Sequence, residues 1–127
     1  MTDIADARRE HDEGLPSDTI PHLIGAYGSR YRDVLDLAAG RREWRARIAP
    51  DSPVIGAQLV LAARSEMALT LADAVIRRTP IGALGCPTGD ALERAAAIVG
   101  AELGWSVARK NDEIAAVRQF YRGVVQV

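Results

Sequence analysis

The chain has 127 residues, 48% of them hydrophobic, with 16 Lys and Arg against 17 Asp and Glu for a net charge of −1. That length suits one domain with a real core, and the charge balance excludes a global electrostatic pull toward nucleic acid or an anionic membrane. One cysteine excludes an internal disulfide framework and suits a reducing cytosol, and no stretch approaches the ~18 apolar residues of a membrane span.

Residues 1–16 read as a flexible leader, charged and without a persistent apolar stripe, ending in the helix stop Gly14-Leu15-Pro16. The polar opening MTDIADARREHDEG does not have the pattern of a signal peptide. Ser17-Asp18-Thr19 offers capping oxygens for a helix bearing Ile20, Leu23, Ile24 and Tyr27. Gly28 ends it, and Ser29 is expected to cap the next helix, whose stripe is Tyr31, Val34, Leu35 and Ala38, closed by Gly40.

From Arg41 to Pro53 the pattern is irregular, and Ile48-Ala49-Pro50-Asp51-Ser52-Pro53 has to be extended or turned, because proline disfavours helix in the residue before it. Helical spacing returns over Val54–Met67, with Ile55, Leu59, Ala62, Ala63 and Met67 on one apolar face. Thr70 with Asp73 has the spacing of a capping box for a helix carrying Leu71, Ala74 and Val75 and ending at Arg77-Arg78-Thr79-Pro80. A Gly/Pro loop over Ile81–Thr88 follows. Thr88 caps a helix with the stripe Leu92, Ala95, Ala96, Val99 and Leu103, and Gly104 ends it. Ser106 caps the last helix, which is expected to bury Val107, Ile114, Val117, Phe120 and Tyr121. The fold class is all-α, a small bundle of five to six helices with Gly/Pro-rich connections.

Chemistry is sparse. Only His11 and His22 are imidazole bases, Cys86 is remote from both in sequence, and one Cys with two His gives no zinc spacing. The glycines around Ile81–Gly89 fit neither the dinucleotide fingerprint nor the Walker pattern, and no strand precedes them, so a turn between helices is the better reading. Asp33 with Asp36, and Asp112 with Glu113, read as solvated faces. Arg41, Arg42, Arg45 and Arg47 around Trp44 form the one local basic patch. Glu43 and the overall neutrality favour a solvated turn anchored by Trp44 over a nucleic-acid contact. Of the adjacent Arg77 and Arg78 one is expected to face inward, with Glu66 as its acidic partner, while Asp73 pairs with Arg77 four residues on.

Taken in order, these segments resemble the helical C-terminal domain of FAD-dependent glycerol-3-phosphate dehydrogenases and α-glycerophosphate oxidases. The likeness rests on His22-Leu23-Ile24-Gly25-Ala26-Tyr27-Gly28-Ser29-Arg30 and on Gly56-Ala57-Gln58-Leu59 running to Ser65-Glu66-Met67-Ala68. It continues through Leu71-Ala72-Asp73-Ala74-Val75-Ile76-Arg77-Arg78-Thr79, the most specific stretch, and Leu103-Gly104-Trp105-Ser106. The chain departs at Gln58, where the family usually shows Glu, and at Leu61, where an aromatic is common.

The resemblance implies a non-catalytic cap over residues 17–127, packed on an FAD- and substrate-binding part that oxidises glycerol 3-phosphate to dihydroxyacetone phosphate. The cofactor would then belong to that parent part, with none in this chain. The same resemblance makes Tyr27, Glu66, Asp73, Arg77, Arg78 and Thr79 structural or docking positions, and it carries over no catalytic residue. The alternative is a free-standing helical interaction module without enzymatic activity. No nucleic-acid partner and no transmembrane segment are expected, and a homo-oligomer is left open. The expected location is the cytoplasm, with a parent enzyme either there or peripheral at the inner membrane face.

Overall fold

The computed structural model describes residues 15–83 and 85–125, with side chains through Arg122. Residues 1–14 of the expected leader, His11 among them, and Leu84 of the Gly/Pro loop lie outside the described residues. The described residues form helices α1 (Thr19–Tyr27), α2 (Tyr31–Ala38), α3 (Arg42–Arg45), α4 (Gly56–Ser65), α5 (Gly89–Leu103) and α6 (Val107–Val125). Short 3-10 turns occupy Gly28–Arg30 and Pro80–Gly82, and a π-helical turn spans Asp73–Arg77. The all-α expectation holds in class and in helix number.

Helix α4 is the axis of the fold. Seven consecutive residues, Gly56 to Ala62, are buried, as expected of a helix that is apolar nearly all round. It divides the interior into two clusters. On one side Leu59, Val60 and Ala62 pack with Leu71, Val75, Leu92, Ala95, Val99 and Val117. On the other, Ile55, Ala57 and Leu61 meet Ile20, Leu23, Tyr31, Val34 and Leu35 from α1 and α2. Trp44 and Leu37 touch both clusters, so the anchoring role expected of Trp44 is realised. Leu15, from the described end of the leader, also packs on the second cluster.

Local signals account for most of the boundaries. Thr88 Oγ1 accepts the Ala91 N–H at 3.3 Å to open α5, and Gly104 ends that helix in the left-handed region at φ 72°. Ser106 Oγ caps the start of α6 by accepting Arg109 N–H at 3.1 Å. Between α3 and α4 the chain is extended as the prolines require. Ile48 N–H donates to Val54 O at 3.1 Å and Gly56 N–H to Ala46 O at 3.1 Å, around a single antiparallel bridge of Arg47 with Ile55.

Other expectations are corrected. Asp18 makes no capping bond to α1, because its carboxylate is held by Arg47 Nη2 at 2.7 Å. Ser29 caps nothing, since the chain passes from α1 to α2 through the 3-10 turn. The segment opened by Thr70 closes as a π turn, with Arg78 N–H reaching back to Asp73 O at 2.9 Å. Met67, expected on the apolar face, lies beyond the end of α4, is 74% exposed and has φ 59°. Val107 and Phe120, expected inside, are 69% and 47% exposed, because α6 packs along one narrow seam through Ile114 and Val117.

Candidate functional site

Among the described residues, a cluster of polar side chains is built at the entry of α4. Gln58 is 1% exposed in an otherwise apolar helix, so each of its polar atoms needs a partner. Its Oε1 accepts the Ile55 N–H at 3.0 Å, the side-chain half of a capping box at the entry of α4. Its Nε2 then donates outward, to His22 Nε2 at 3.1 Å and to the Tyr27 hydroxyl at 3.4 Å. A donor aimed at His22 Nε2 requires a lone pair there, which makes the imidazole neutral with its proton on Nδ1.

The electrostatics agree. Burial lowers the His22 pKa, with Asp18 and the Gln58 hydrogen bond pulling the other way. Burial also raises the Tyr27 hydroxyl, and the nearby Glu66 carboxylate adds to that rise, while Gln58 and Arg30 oppose it. His22 and Tyr27 are therefore both uncharged at neutral pH. They are held by one buried amide, an arrangement that locks α1 onto α4.

Glu66 stands at the end of α4, and its N–H closes the helix onto Ala62 O at 3.2 Å. Its Oε1 is buried without a hydrogen-bond partner. The inward arginine expected for it does not exist. Arg77 and Arg78 are both exposed, as the wider π turn carries both away from α4, and Arg77 Nη1 lies 3.6 Å from Asp73 Oδ1. Such an exposed i,i+4 pair contributes only ~0.3–0.5 kcal/mol.

Asp73 and Thr79 hold the π turn itself. Asp73 N–H donates to Thr70 Oγ1 at 3.0 Å, and Asp73 Oδ2 accepts the Leu69 N–H at 3.4 Å, so the capping exchange forms one residue out of register. Thr79 is 6% exposed and its hydroxyl donates to Ala74 O at 2.8 Å. Of the sequence-derived positions, Tyr27 is bonded at the entry of α4 and feels the charge of Glu66 at its end. Asp73, Arg77, Arg78 and Thr79 line the neighbouring turn.

His22 and Gln58 are the contributors that sequence reasoning passed over as site members. The available signal was a lone amide in a run of buried aliphatic residues, Gly56 to Ala62.

Three of the four arginines of the basic patch make contacts within the fold. Arg47 binds Asp18, Arg41 lies 3.7 Å from Glu43 and over Trp44, and Arg45 Nη1 donates to Ala38 O at 3.3 Å. A groove of about 320 Å³ beside Trp44 is floored by Ile48, Ala97 and Ile98 and crossed by Arg94, whose Nε donates to Ile48 O at 2.9 Å. The glycine loop offers no phosphate cradle: a 3-10 turn leads into it, and Gly82 is covered by Tyr121, whose hydroxyl donates to Gly82 O at 2.7 Å. Cys86 is exposed. Among the described residues no three or more His, Cys, Asp and Glu side chains group as metal ligands, and no helix is long and apolar enough to cross a membrane.

Comparison with known proteins adds a family. Residues 3–110 match the family described as the C-terminal domain of alpha-glycerophosphate oxidase. A glycerol-3-phosphate dehydrogenase of Synechocystis sp. is 43% identical over 75 residues, which cover 59% of this chain and 14% of that protein. The mitochondrial glycerol-3-phosphate dehydrogenases of Bos taurus and Rattus norvegicus are 31% and 32% identical over 119 residues, covering 89% of this chain and 16% of each relative. The chain therefore spans about one sixth of the length of the relatives it matches. No solved structure matches it significantly.

Proposed function

Since the chain belongs to the family of the C-terminal domain of alpha-glycerophosphate oxidase, we propose that it is a helical cap for a flavin- and substrate-binding part that carries the chemistry. That part would bind FAD and oxidise glycerol 3-phosphate to dihydroxyacetone phosphate. The observation that carries the reading is the match itself: nearly the whole chain aligns with only 16% of the mitochondrial dehydrogenases. The residues shared with the family's motif support it. Thr79 and Asp73 fasten a turn, and Tyr27 fastens a helix pair, which are the tasks of a scaffold and not of a reaction centre. A cytoplasmic location, or one peripheral to the inner membrane face, belongs to the same proposal.

The test is direct. Purified, this chain is expected to be colourless, to lack a flavin absorption band and to leave glycerol 3-phosphate unoxidised. Fused in place of the matching segment of the Synechocystis dehydrogenase, it is expected to give a yellow enzyme with turnover. Flavin bound by the chain alone, or a fusion that loses flavin and activity while remaining soluble, would overturn the proposal.

A further inference from the structure

Helix α5 changes character along its exposed side. Asp90, Glu93 and Arg94 are charged and exposed, as a solvated helix face requires, but the exposed positions that follow, Ala97 and Ala101, carry no polar group. Both alanines border the groove of about 320 Å³ beside Trp44, which Ala46, Ile48 and Ile98 also line, so its open surface is mainly apolar. The groove is pre-formed. The guanidiniums of Arg41 and Arg64 each stand 5.4 Å from the Trp44 ring centroid and hold the indole in place. Gly56 N–H donates to Ala46 O at 3.1 Å and Arg94 Nε to Ile48 O at 2.9 Å, which fixes that segment against α4 and α5. A rigid apolar concavity of this kind is suited to receive a side chain.

The charges at its edge are not balanced. Arg41 faces Glu43 at 3.7 Å, Arg47 Nη2 binds Asp18 at 2.7 Å, and the remaining acid of the groove, Glu102, is held by Arg64. Arg94 forms no ion pair among the described residues. Its Nε is committed to the Ile48 carbonyl, and its two η nitrogens, on an exposed side chain, make no hydrogen bond there. An open guanidinium fork beside an apolar floor matches an apolar side chain with a carboxylate next to it, because the fork's planar donors fit the carboxylate oxygens.

We infer that the Trp44 groove receives a segment of the flavin-binding part, whose apolar side chain lies over Ala97 and Ala101 while a neighbouring Asp or Glu pairs with the η nitrogens of Arg94. The inference rests on the cap reading, and it names the face and the chemistry that meets it. Charge and shape select the occupant. Nucleic acid calls for several free cations, and one of the arginines lining this groove is unpaired. A second copy docked groove to groove would leave both concavities unfilled and set Arg94 against Arg94. The relatives carry about five sixths of their length outside this domain, tethered to it and so present at high local concentration.

Hydrogen exchange on the free chain and on its fusion to the Synechocystis dehydrogenase tests this. In a yellow, active fusion the amides of residues 43–47 are expected to exchange at least about tenfold more slowly than in the free chain, while those of residues 104–107 stay unchanged. Ala97→Glu, at an exposed position, fills the groove and gives Arg94 an acid three residues away on its own helix. It is expected to leave the urea midpoint of the free chain unchanged and to abolish the protection in the fusion. Ala97→Gln, of the same size without the charge, is expected to lose only part of it, and equal losses in the two variants would overturn the carboxylate pairing. Protection at another face of an active fusion, or protection of residues 43–47 that survives Ala97→Glu, would overturn the inference and leave the cap reading standing. A soluble fusion without flavin or turnover would overturn both. A concentration-dependent dimer of the free chain that already protects residues 43–47 would assign the groove to a second copy and also overturn the inference.

Discussion

Ile55 N–H donates to Gln58 Oε1 at 3.0 Å, and this one bond decides which way the buried amide points. With the oxygen committed to the start of α4, the two amide hydrogens face His22 and Tyr27. Burial keeps the imidazole at position 22 neutral, and the residue at position 58 sets which of its nitrogens carries the lone pair. Gln58→Glu, which restores the residue the family resemblance leads one to expect, reverses the requirement. A buried carboxylate needs donors, so His22 would hold a proton and the Tyr27 hydroxyl would donate. The His22 pKa, followed by NMR of the imidazole, is expected to rise in Gln58→Glu. An unmoved titration would show that the two side chains are not coupled.

The same pairing sets an acid limb of stability. Unfolded, His22 titrates near its ordinary 6.5, and burial lowers it in the fold. Falling pH therefore protonates the unfolded chain first. Stability is full above the unfolded pKa and declines below it, until the lower folded pKa has been passed. The urea midpoint is expected to drop between about pH 7 and about pH 5.5, and His22→Gln is expected to flatten that drop. A wild-type midpoint that increases over this interval would contradict the burial of a neutral ring.

The helical content, the caps at Thr88 and Ser106 and the stop at Gly104 were legible because each depends on one residue acting on its own backbone neighbours. The misreadings share a different cause. Asp18 looks like a cap until Arg47, 29 residues away, takes its carboxylate. Arg77 and Arg78 look like an inward pair on a regular helix, but the π turn rotates both to the surface. Met67 fits the apolar stripe of α4 only if that helix runs on, and it stops at Ser65. For the site, Tyr27 and Glu66 were visible through the family motif. Gln58 was visible only as a departure from it, because its partners come from a helix over thirty residues earlier.

Thr79 shows how the motif supports the turn. Its hydroxyl is buried and donates to Ala74 O at 2.8 Å, inside the π turn. Thr79→Val keeps the shape and removes the donor, leaving that carbonyl without the hydroxyl bond. The expected loss is about 0.5–1.5 kcal/mol in denaturant unfolding, with accelerated exchange of the Arg78 amide as the local sign. A neutral Thr79→Val would mean that the turn is held by apolar packing alone. Arg78→Ala, at an exposed position, is expected to change stability by no more than ~0.5 kcal/mol, so the pair separates a fold role from a surface role within one motif.

Two glycines make opposite predictions from the same substitution. Gly56 opens α4 against the preceding loop, where an added Cβ would lie 2.6 Å from Glu43 O, 2.9 Å from Ile98 Cδ1 and 3.0 Å from Trp44 Cα. Two of those atoms are backbone, held by the Gly56 N–H bond to Ala46 O, so they do not yield as a flexible side chain would. Gly56→Ala is expected to cost about 1–3 kcal/mol and to quench the packing of Trp44, seen as a red shift in its emission. Gly25 lies in the exposed face of α1 with nothing within 4 Å of an added Cβ. Its backbone is helical, so Gly25→Ala is expected to stabilise by up to about 1 kcal/mol through helix propensity alone. Equal effects at the two sites would refute the close approach of α3 to α4 on which the placement of Trp44 between the two core clusters depends.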